Sequence, residues 1–416
     1  MTQAATASYD VDRFRQDFPM LRQTAQGHPL VYLDNAATTH KPQVMIDRLV
    51  QTYSRGYAKD AEKHTFSRQI TAQMEQARAR FATFVNAPAP ENIVLLQNAT
   101  EALAIIAEGF TKTELKAGDE IVLTQLEHHS NIIPWLIAAE TTGATIKVAP
   151  MNDAGEVEPE AVAALLTNRT KVVSVSHVSH VLGTILPVRE ITGLAHARGV
   201  PVVVDGAQAT PHMPLDLQEI GCDFYVMCGH KTYGPTSVGL LYGTAEWLER
   251  LPAWEGGSDN ASQVTFGGWR PKSPPKKFEA GTQALVDIIA LGTSVEYLSG
   301  IGMGAILRHE HALIQEIIQG LEGIEGVTVL GRPEHRAGLA SFVIEGVENP
   351  NDVEEFLDQE HGVAVRSGDL SAEPLMKRLG LPGVVRVSLG LYNTPQEAEV
   401  LLRGVEHFVQ QRNATR

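Results

Sequence analysis

The sequence predicts an α/β protein with a mostly parallel sheet, joined to a smaller α+β domain. Along the first two thirds of the chain, short apolar runs alternate with segments of helix length. Such alternation is typical of βαβ units, whose strands pair in parallel. After Gly281 the order changes, with one long helical segment followed by strands and helices in a different succession. The strands predicted for the large sheet are residues 93–96, 120–124, 145–148, 171–176, 200–205, 223–227 and 238–242.

The remaining elements follow from periodicity and turn residues. Ser67 is the expected N-cap of a helix whose apolar residues recur at intervals of three and four. Residues 255–277 are rich in Gly and Pro and are expected to form a long loop. We expect a large domain at residues 29–286, and a smaller domain made of residues 287–416 with an N-terminal arm at residues 1–28. The smaller domain should hold strands near 327–330, 340–344 and 363–366, a helix near 352–360 and a final helix from Pro395.

Composition excludes several classes of partner. The chain has 416 residues, 43% of them hydrophobic, which is enough for two domains with their own cores. Its 34 basic and 49 acidic residues give a net charge of −15, so neither nucleic acid nor an anionic membrane is expected to bind. The sequence shows no signal-peptide pattern and no apolar run of the roughly 18 residues that a membrane span needs. Cys222 and Cys228 lie too far apart on one predicted strand to form a disulfide. We expect a cytoplasmic protein without a metal site.

Two residues at strand ends indicate the chemistry. Lys231 follows an apolar strand within Gly229-His230-Lys231, where burial would disfavour its ammonium form and free the amine for Schiff-base formation. Asp205 ends another apolar strand, at the edge where open α/β sheets bind ligands. Each alone has a plain structural interpretation, as a surface lysine and as a helix cap. Together they suit pyridoxal phosphate, which needs a carboxylate at its ring nitrogen and a lysine for its aldehyde.

The chain resembles the class V (NifS-like) aminotransferase-fold enzymes, and among them the group II cysteine desulfurases and selenocysteine lyases. The resemblance rests on YLDNAA at residues 32–37, EHHSNIIPW at 127–135, EAGT at 279–282 and RVSL at 386–389, together with the Asp205 and Lys231 segments. It covers nearly the whole chain. It implies a pyridoxal-phosphate-dependent transferase of fold type I and a homodimer with a shared active site.

The resemblance also implies the cofactor contacts. Lys231 would bind the aldehyde, Asp205 the ring nitrogen and Gln208 the ring hydroxyl, while His128 would stack on the ring and relay protons. Relatives usually have a threonine where Ala99 stands and a serine where Cys228 stands, so these two positions should hold phosphate less well. Thr282 resembles the residue that reaches the cofactor phosphate of the partner subunit. The full expected set of cofactor contacts is Lys231, Asp205, Gln208, His128, His230, Thr100, Ala99, Cys228 and Thr282.

On the substrate side, Arg386 resembles the arginine that binds the α-carboxylate, for which its planar fork is suited. A structural ion pair is the alternative interpretation of Arg386. His180 stands where relatives commonly have an asparagine, which places a group that titrates near neutrality in the site. The expected substrate contacts are Arg386, Arg366, His180, Ser371, Asp369 and Asn35, and the expected catalytic residues are Lys231, His128 and His180.

The loop at residues 366–374, RSGDLSAEP, departs from the desulfurase pattern. In desulfurases it reads Arg-x-Gly-His-His-Cys-Ala-x-Pro, and the cysteine takes sulfur from the substrate as a persulfide. Here Ser371 occupies the place of that cysteine and Asp369 replaces one of the histidines. Because a hydroxyl cannot form a persulfide, we expect an enzyme that labilises the β-carbon of a small L-amino acid. The expected reaction is β-elimination or β-decarboxylation, with aldol-type capture of an electrophile as a variant, and not persulfide-forming desulfuration.

Three alternatives remain open at the level of sequence. The first is an aminotransferase or epimerase of the same family. The second is a genuine cysteine desulfurase or selenocysteine lyase that uses another thiol. The third is a non-catalytic scaffold paralogue, against which the presence of both Lys231 and Asp205 argues.

Overall fold

The computed structural model describes residues 9–60 and 63–415. Part of the predicted N-terminal arm, residues 1–8, lies outside the described residues. The helices are α1 Val11–Gln16, α2 Gln43–Arg55, α3 Thr65–Phe84, α4 Ala99–Thr113, α5 Ile133–Thr142, α6 Pro159–Ala163, α7 Val188–His196, α8 Leu217–Ile220, α9 Ala245–Arg250, α10 Leu285–Ile301, α11 Met303–Glu322, α12 Asn351–His361, α13 Glu373–Leu379 and α14 Pro395–Thr415. Short 3₁₀ helices cover Pro19–Arg22, Pro90–Asn92, His129–Asn131 and Lys276–Phe278.

Strands of the described residues form two main sheets and three short pairs. They are β1 Thr24–Ala25, β2 His28–Pro29, β3 Val31–Tyr32, β4 Ile93–Leu96, β5 Glu120–Thr124, β6 Thr145–Ala149, β7 Thr170–Ser176, β8 Val202–Asp205, β9 Phe224–Cys228, β10 Gly239–Gly243, β11 Ala261–Thr265, β12 Gly268–Pro271, β13 Val327–Val329, β14 Leu339–Ile344, β15 Val363–Ala364, β16 Arg366–Gly368 and β17 Val384–Ser388.

The large sheet has seven strands in the order β4-β10-β9-β8-β7-β5-β6. Strands β5 to β9 pair in parallel, and β10 runs antiparallel to both β4 and β9. Strands β8 and β9 are buried at every position, as expected for strands covered on both faces. The predicted α/β class, the fold type I architecture and the mostly parallel sheet are confirmed.

Parallel pairing positions the chemistry. Because β7, β8 and β9 run in the same direction, their carboxyl ends meet at one edge of the sheet. This edge carries Ser176, Asp205 and Cys228, and the chain continues from Cys228 to Lys231 in a tight turn. A Cβ on Gly229 would lie 2.8 Å from the carbonyl oxygen of Val238, so the turn needs a glycine there.

A second sheet has the order β13-β14-β17-β16 and carries Arg386 on β17 and Arg366 on β16. The strand predicted at residues 363–366 is two strands in the structure. Strand β15 pairs with β3 in parallel, whereas β16 pairs with β17. The segment changes partner at Val365, and sequence periodicity carries no information about that change.

Other predicted elements are corrected by local chemistry. Residues 255–277 are not a plain loop, because β11 and β12 form an antiparallel hairpin joined by Phe266 and Gly267. Helix α3 is capped by His64, and Ser67 is its third residue, whose side chain completes a capping box. The long helix predicted after Gly281 is two helices, α10 and α11, separated at Gly302 with φ of 93°.

The predicted division into domains at residues 28/29 and 286/287 stays a prediction. Within the described residues, no single helix is both long enough and apolar enough to cross a membrane. The α10–α11 pair meets the criteria of length and composition together, but the two helices meet at an angle of 75°.

Candidate active site

A cavity of about 480 Å³ opens at the carboxyl edge of the large sheet and is closed on its other side by residues of the second sheet and the loop after it. Most of the predicted site residues line it. They are Ala99, Thr100, His128, His180, Asp205, Gln208, Cys228, His230, Lys231, Arg366, Asp369, Ser371 and Arg386.

Lys231 lines this cavity and is half-buried. Burial lowers the pKa of Lys231 below its ordinary value, while Cys228 and Asp205 oppose that shift. A lysine with a lowered pKa supplies a larger fraction of free amine at neutral pH. This is the form that condenses with an aldehyde.

Asp205 ends β8 and is buried in the same cavity. Its Oδ1 accepts a hydrogen bond of 3.0 Å from the backbone N–H of Ala207. Burial raises the pKa of Asp205, so a cationic partner in the cavity would favour its carboxylate form. Gly206 fits against the ring of Tyr225, where a Cβ would lie only 1.9 Å from Cε1. Glycine is therefore needed for the close packing behind this carboxylate.

His128 lines the cavity from the segment that follows β5. Its Nδ1 accepts a hydrogen bond of 3.0 Å from the backbone N–H of Ser130, which places the proton of the neutral ring on Nε2. Burial, together with the nearby Lys231, lowers the pKa of His128 to about 4. The ring is therefore neutral at physiological pH and packs edge-on against His180, with ring centroids 4.8 Å apart.

Glu127 supports this side and was missed from the sequence. Its carboxyl group is fully buried and accepts hydrogen bonds from Ser176 and Asn131, each at 2.7 Å. Burial raises the pKa of Glu127 to about 7. Its position directly before His128 in the EHHSNIIPW motif could have indicated that Glu127 belongs to the site.

The amino terminus of α4 faces the cavity through Ala99 and Thr100. The Thr100 hydroxyl lies 2.8 Å from that of Ser130. Helix amino termini bind phosphate through free backbone N–H groups and the helix dipole. Burial raises the pKa of Cys228, so this residue offers the site a neutral thiol.

Two arginines share one carboxylate. Asp34 accepts hydrogen bonds from Nη2 of Arg386 at 3.2 Å and from Nη2 of Arg366 at 2.6 Å. Arg386 is 4% exposed and also donates from Nη1 to the carbonyl oxygen of His180 at 3.0 Å. The side chain of Arg366 is 49% exposed. Asp34 was missed as a site residue, although its place directly after a strand in the YLDNAA motif could have indicated it.

Two buried polar atoms that belong to cavity-lining residues have no hydrogen-bond partner within residues 9–60 and 63–415. They are Oε1 of Gln208 and Nε of Arg386. Gln208 is held in place through its Nε2, which donates to the carbonyl oxygen of Ala36 at 2.8 Å. Since buried polar atoms are rarely left unpaired, the cavity fits a ligand that carries both a hydroxyl and an anionic group.

Two predicted residues are not brought to the cavity. Asn35 is buried, and its amide bonds the carbonyl oxygen of Ser388 at 2.9 Å and the side chains of Asn393 and Tyr392. Its side chain is thus committed to tying the chain together, and substrate binding by Asn35 has no support in the structure. Thr282 is exposed and lies outside the cavity lining.

The fold and this cavity define a pyridoxal-phosphate-dependent enzyme of fold type I. The chain matches the class-V aminotransferase family over residues 31–401 and belongs to it. A probable cysteine desulfurase of Mycolicibacterium paratuberculosis is 43% identical over 403 residues, which are 97% of this chain and 58% of that relative. A cysteine desulfurase of Dickeya dadantii is 42% identical over 402 residues, which are 96% of this chain and 97% of that relative.

Solved structures agree with this assignment. The apo structure of a cysteine desulfurase from Thermococcus onnurineus matches with a TM-score of 0.91 at 33% identity, and the match covers 98% of this chain and 100% of that one. The predicted cofactor, pyridoxal phosphate, is confirmed by this membership. The predicted activity is wrong: relatives at about 40% identity over nearly the full chain are named cysteine desulfurases, which contradicts a β-carbon lyase that performs no desulfuration.

Proposed function

We propose that the protein is a cysteine desulfurase that removes sulfur from L-cysteine. The observation that carries this proposal is that Lys231, Asp205 and Arg386 line one cavity. The similarity of the chain to proteins named cysteine desulfurases supports it. The prediction failed because it inferred the reaction from one side chain, Ser371. The cofactor residues activate the substrate for cleavage of the Cβ–S bond, and the residue at position 371 bears only on which thiol accepts the sulfur.

The roles of the residues follow from the geometry. Arg386 binds the substrate carboxylate through the guanidinium edge that Asp34 and His180 leave free, which includes Nε. Bound pyridoxal phosphate supplies an electron sink at the substrate Cα. Lys231 removes the proton from Cα, and Asp205 keeps the ring nitrogen protonated. His128, neutral with its proton on Nε2, can donate to a group on its side of the cavity.

Desulfuration needs a thiol to accept the sulfur. A thiolate attacks the substrate Sγ, the Cβ–S bond breaks, and its electron pair remains on Cβ, which takes a proton. The carbon product is then L-alanine, and the sulfur becomes a persulfide of the acceptor. We propose that Ser371 occupies the position of the acceptor cysteine of relatives, so that another thiol performs this step.

The acceptor can be supplied from within the chain or from solution. Cys228 lines the cavity, whereas Cys222 is not among the lining residues. Burial raises the pKa of both thiols, so neither gains thiolate character from its surroundings. A thiol from solution can enter past the loop that carries Ser371. Mass spectrometry of the protein after one turnover distinguishes the two sources, because the mass of the chain increases by one sulfur atom only if a cysteine of the chain is the acceptor.

We further propose a homodimer that completes the site. Thr282 is exposed in a single chain, and the β11–β12 hairpin projects the apolar side chains of Val264, Phe266 and Trp269 into solvent. An exposed apolar hairpin favours burial against another surface. A second copy of the chain would cover it and bring Thr282 towards the neighbouring cofactor phosphate.

The test is product analysis with L-cysteine. Cofactor-loaded protein and excess dithiothreitol should give L-alanine and sulfide in equal amounts, and Lys231→Ala should give neither. The variant Cys228→Ser, which restores the hydroxyl common in relatives, should keep alanine formation if the acceptor comes from solution and lose it if Cys228 is the acceptor. Pyruvate and ammonia in place of alanine would contradict the proposed function.

A further inference from the structure

The loop that carries Ser371 has an unusual backbone. Leu370 and Ser371 have φ angles of 55° and 57°, so two successive residues other than glycine adopt the left-handed conformation. L-residues with side chains rarely adopt this conformation unless surrounding contacts hold them there. The contacts that hold this loop therefore decide what it presents to the cavity.

Two hydrogen bonds hold the left-handed residues by their carbonyl groups. The backbone N–H of His129 donates to the carbonyl oxygen of Ser371 at 3.0 Å. The ring Nε2 of His180 lies 2.9 Å from the carbonyl oxygen of Leu370. Because a carbonyl oxygen can only accept, His180 must carry its proton on Nε2. Burial and the neighbouring His128 lower the pKa of His180 well below its ordinary value, which keeps the ring in this neutral form.

His180 contacts two other parts of the site. Its ring packs edge-on against His128, and its backbone carbonyl accepts a hydrogen bond of 3.0 Å from Nη1 of Arg386. One buried residue thus joins the carboxylate-binding arginine, the ring of His128 and the loop of Ser371. Residues 180 and 370 lie 190 positions apart in the chain, so this bond fixes the loop relative to the large sheet.

We propose that His180 is a positioning residue, which holds the loop of Leu370 and Ser371 beside His128 and Arg386 so that this wall of the cavity orients the substrate side chain. This inference rests on the proposed function and deepens it. An asparagine side chain is shorter than that of histidine, so its N–H donor would fall short of the Leu370 carbonyl from the same backbone position. The histidine therefore belongs with the altered loop, as the donor that this loop requires.

The experiment compares His180→Asn with His180→Gln in the cofactor-loaded protein, because glutamine can place an N–H donor near the position of Nε2. Hydrogen exchange of the peptide that covers residues 369–372 reports the loop directly, since the amide of Ala372 bonds the carbonyl oxygen of Asp369 at 3.0 Å. In His180→Asn we expect exchange in this peptide to rise by about tenfold. The kcat for alanine should fall by about 10- to 100-fold, with KM for L-cysteine changed by less than about threefold. His180→Gln should restore both properties.

Cofactor absorbance and melting temperature serve as controls for a purely structural effect. The proposal is overturned if His180→Asn leaves loop exchange and kcat unchanged, or if both variants lose stability and cofactor together without a selective change in the loop. The proposal is also overturned if His180→Asn keeps the wild-type loop exchange and kcat while His180→Gln loses them. A wild-type protein that makes no alanine would refute the proposed function, while loop exchange would still decide the role of His180.

Discussion

The two walls of the cavity are built in different ways. The cofactor wall consists of residues at the ends of buried parallel strands, and close packing at Gly206 and Gly229 leaves its backbone no freedom. The loop wall consists of two arginines, the buried Arg386 and the half-exposed Arg366, and of two left-handed residues whose carbonyl groups accept hydrogen bonds from distant parts of the chain. The comparison teaches that cofactor chemistry is fixed by the fold, whereas the handling of sulfur depends on a few loop contacts. Substitutions in the first wall should therefore abolish the reaction, and those in the second should modulate it.

The largest expected effect is that of Lys231→Ala. Without the amine there is neither a covalent link to the cofactor nor a base at Cα, so alanine formation should fall by about 10⁴-fold or more. Lys41→Met is the matched control. Burial also lowers the pKa of Lys41, to about 8, but among the residues that the structure describes its ammonium bonds only the backbone carbonyls of Thr39 and His230. Rates and cofactor absorbance of the two variants provide the comparison. Equal loss in both would contradict a special role of Lys231.

Substitutions of Arg386 and Arg366 test which arginine of the loop wall binds the substrate carboxylate. Arg386→Ala removes a buried charge-assisted contact and should raise KM for L-cysteine by about 100-fold. Arg366→Ala should raise KM far less, because Arg386 keeps its own bond to Asp34 in that variant. Steady-state kinetics at saturating cofactor measures both values. Equal changes in KM would mean that the two arginines share the carboxylate.

The pH dependence of stability tests the burial of His128. Its pKa is lowered from 6.5 to about 4, so the unfolded chain binds a proton in this interval that the folded chain does not. The stabilisation from neutral His128 is thus complete above pH 6.5 and is lost as the pH falls towards 4. Denaturant unfolding of cofactor-free wild type and His128→Gln should show a stability difference that shrinks by at most about 3 kcal/mol over this range. A difference independent of pH would show that His128 titrates normally.

The smallest expected effect is that of Ser371→Ala. Within the described residues, the hydrogen bonds recorded for Ser371 are made by its backbone. Removing the hydroxyl should therefore change kcat by less than about threefold. Ser367→Ala is a useful control on the neighbouring strand β16, because the Ser367 hydroxyl bonds Asn351 at 2.7 Å and also contacts Glu354. A large loss confined to Ser371→Ala would give this hydroxyl a direct part in the reaction.

The cofactor wall could be predicted from the sequence because its signals are local. Buried strands appear as apolar runs. Asp205 is the last residue of β8, and Lys231 follows the end of β9 after a tight turn. The loop wall could not be predicted, because its contacts join residues far apart in the chain. Neither the double use of Asp34 nor the bond from His180 to Leu370 leaves a periodic pattern. The wrong prediction of activity arose on this wall, from the chemistry of Ser371 taken without its surroundings.

The most direct test of the account is the ratio of L-alanine to pyruvate formed from L-cysteine as the concentration of added thiol is varied. If the cofactor wall determines the reaction and a thiol other than residue 371 accepts the sulfur, alanine should be the main product. Its formation should also depend on Lys231. Pyruvate as the main product at every thiol concentration would contradict this account, because it would show that sulfur leaves by elimination and is never transferred.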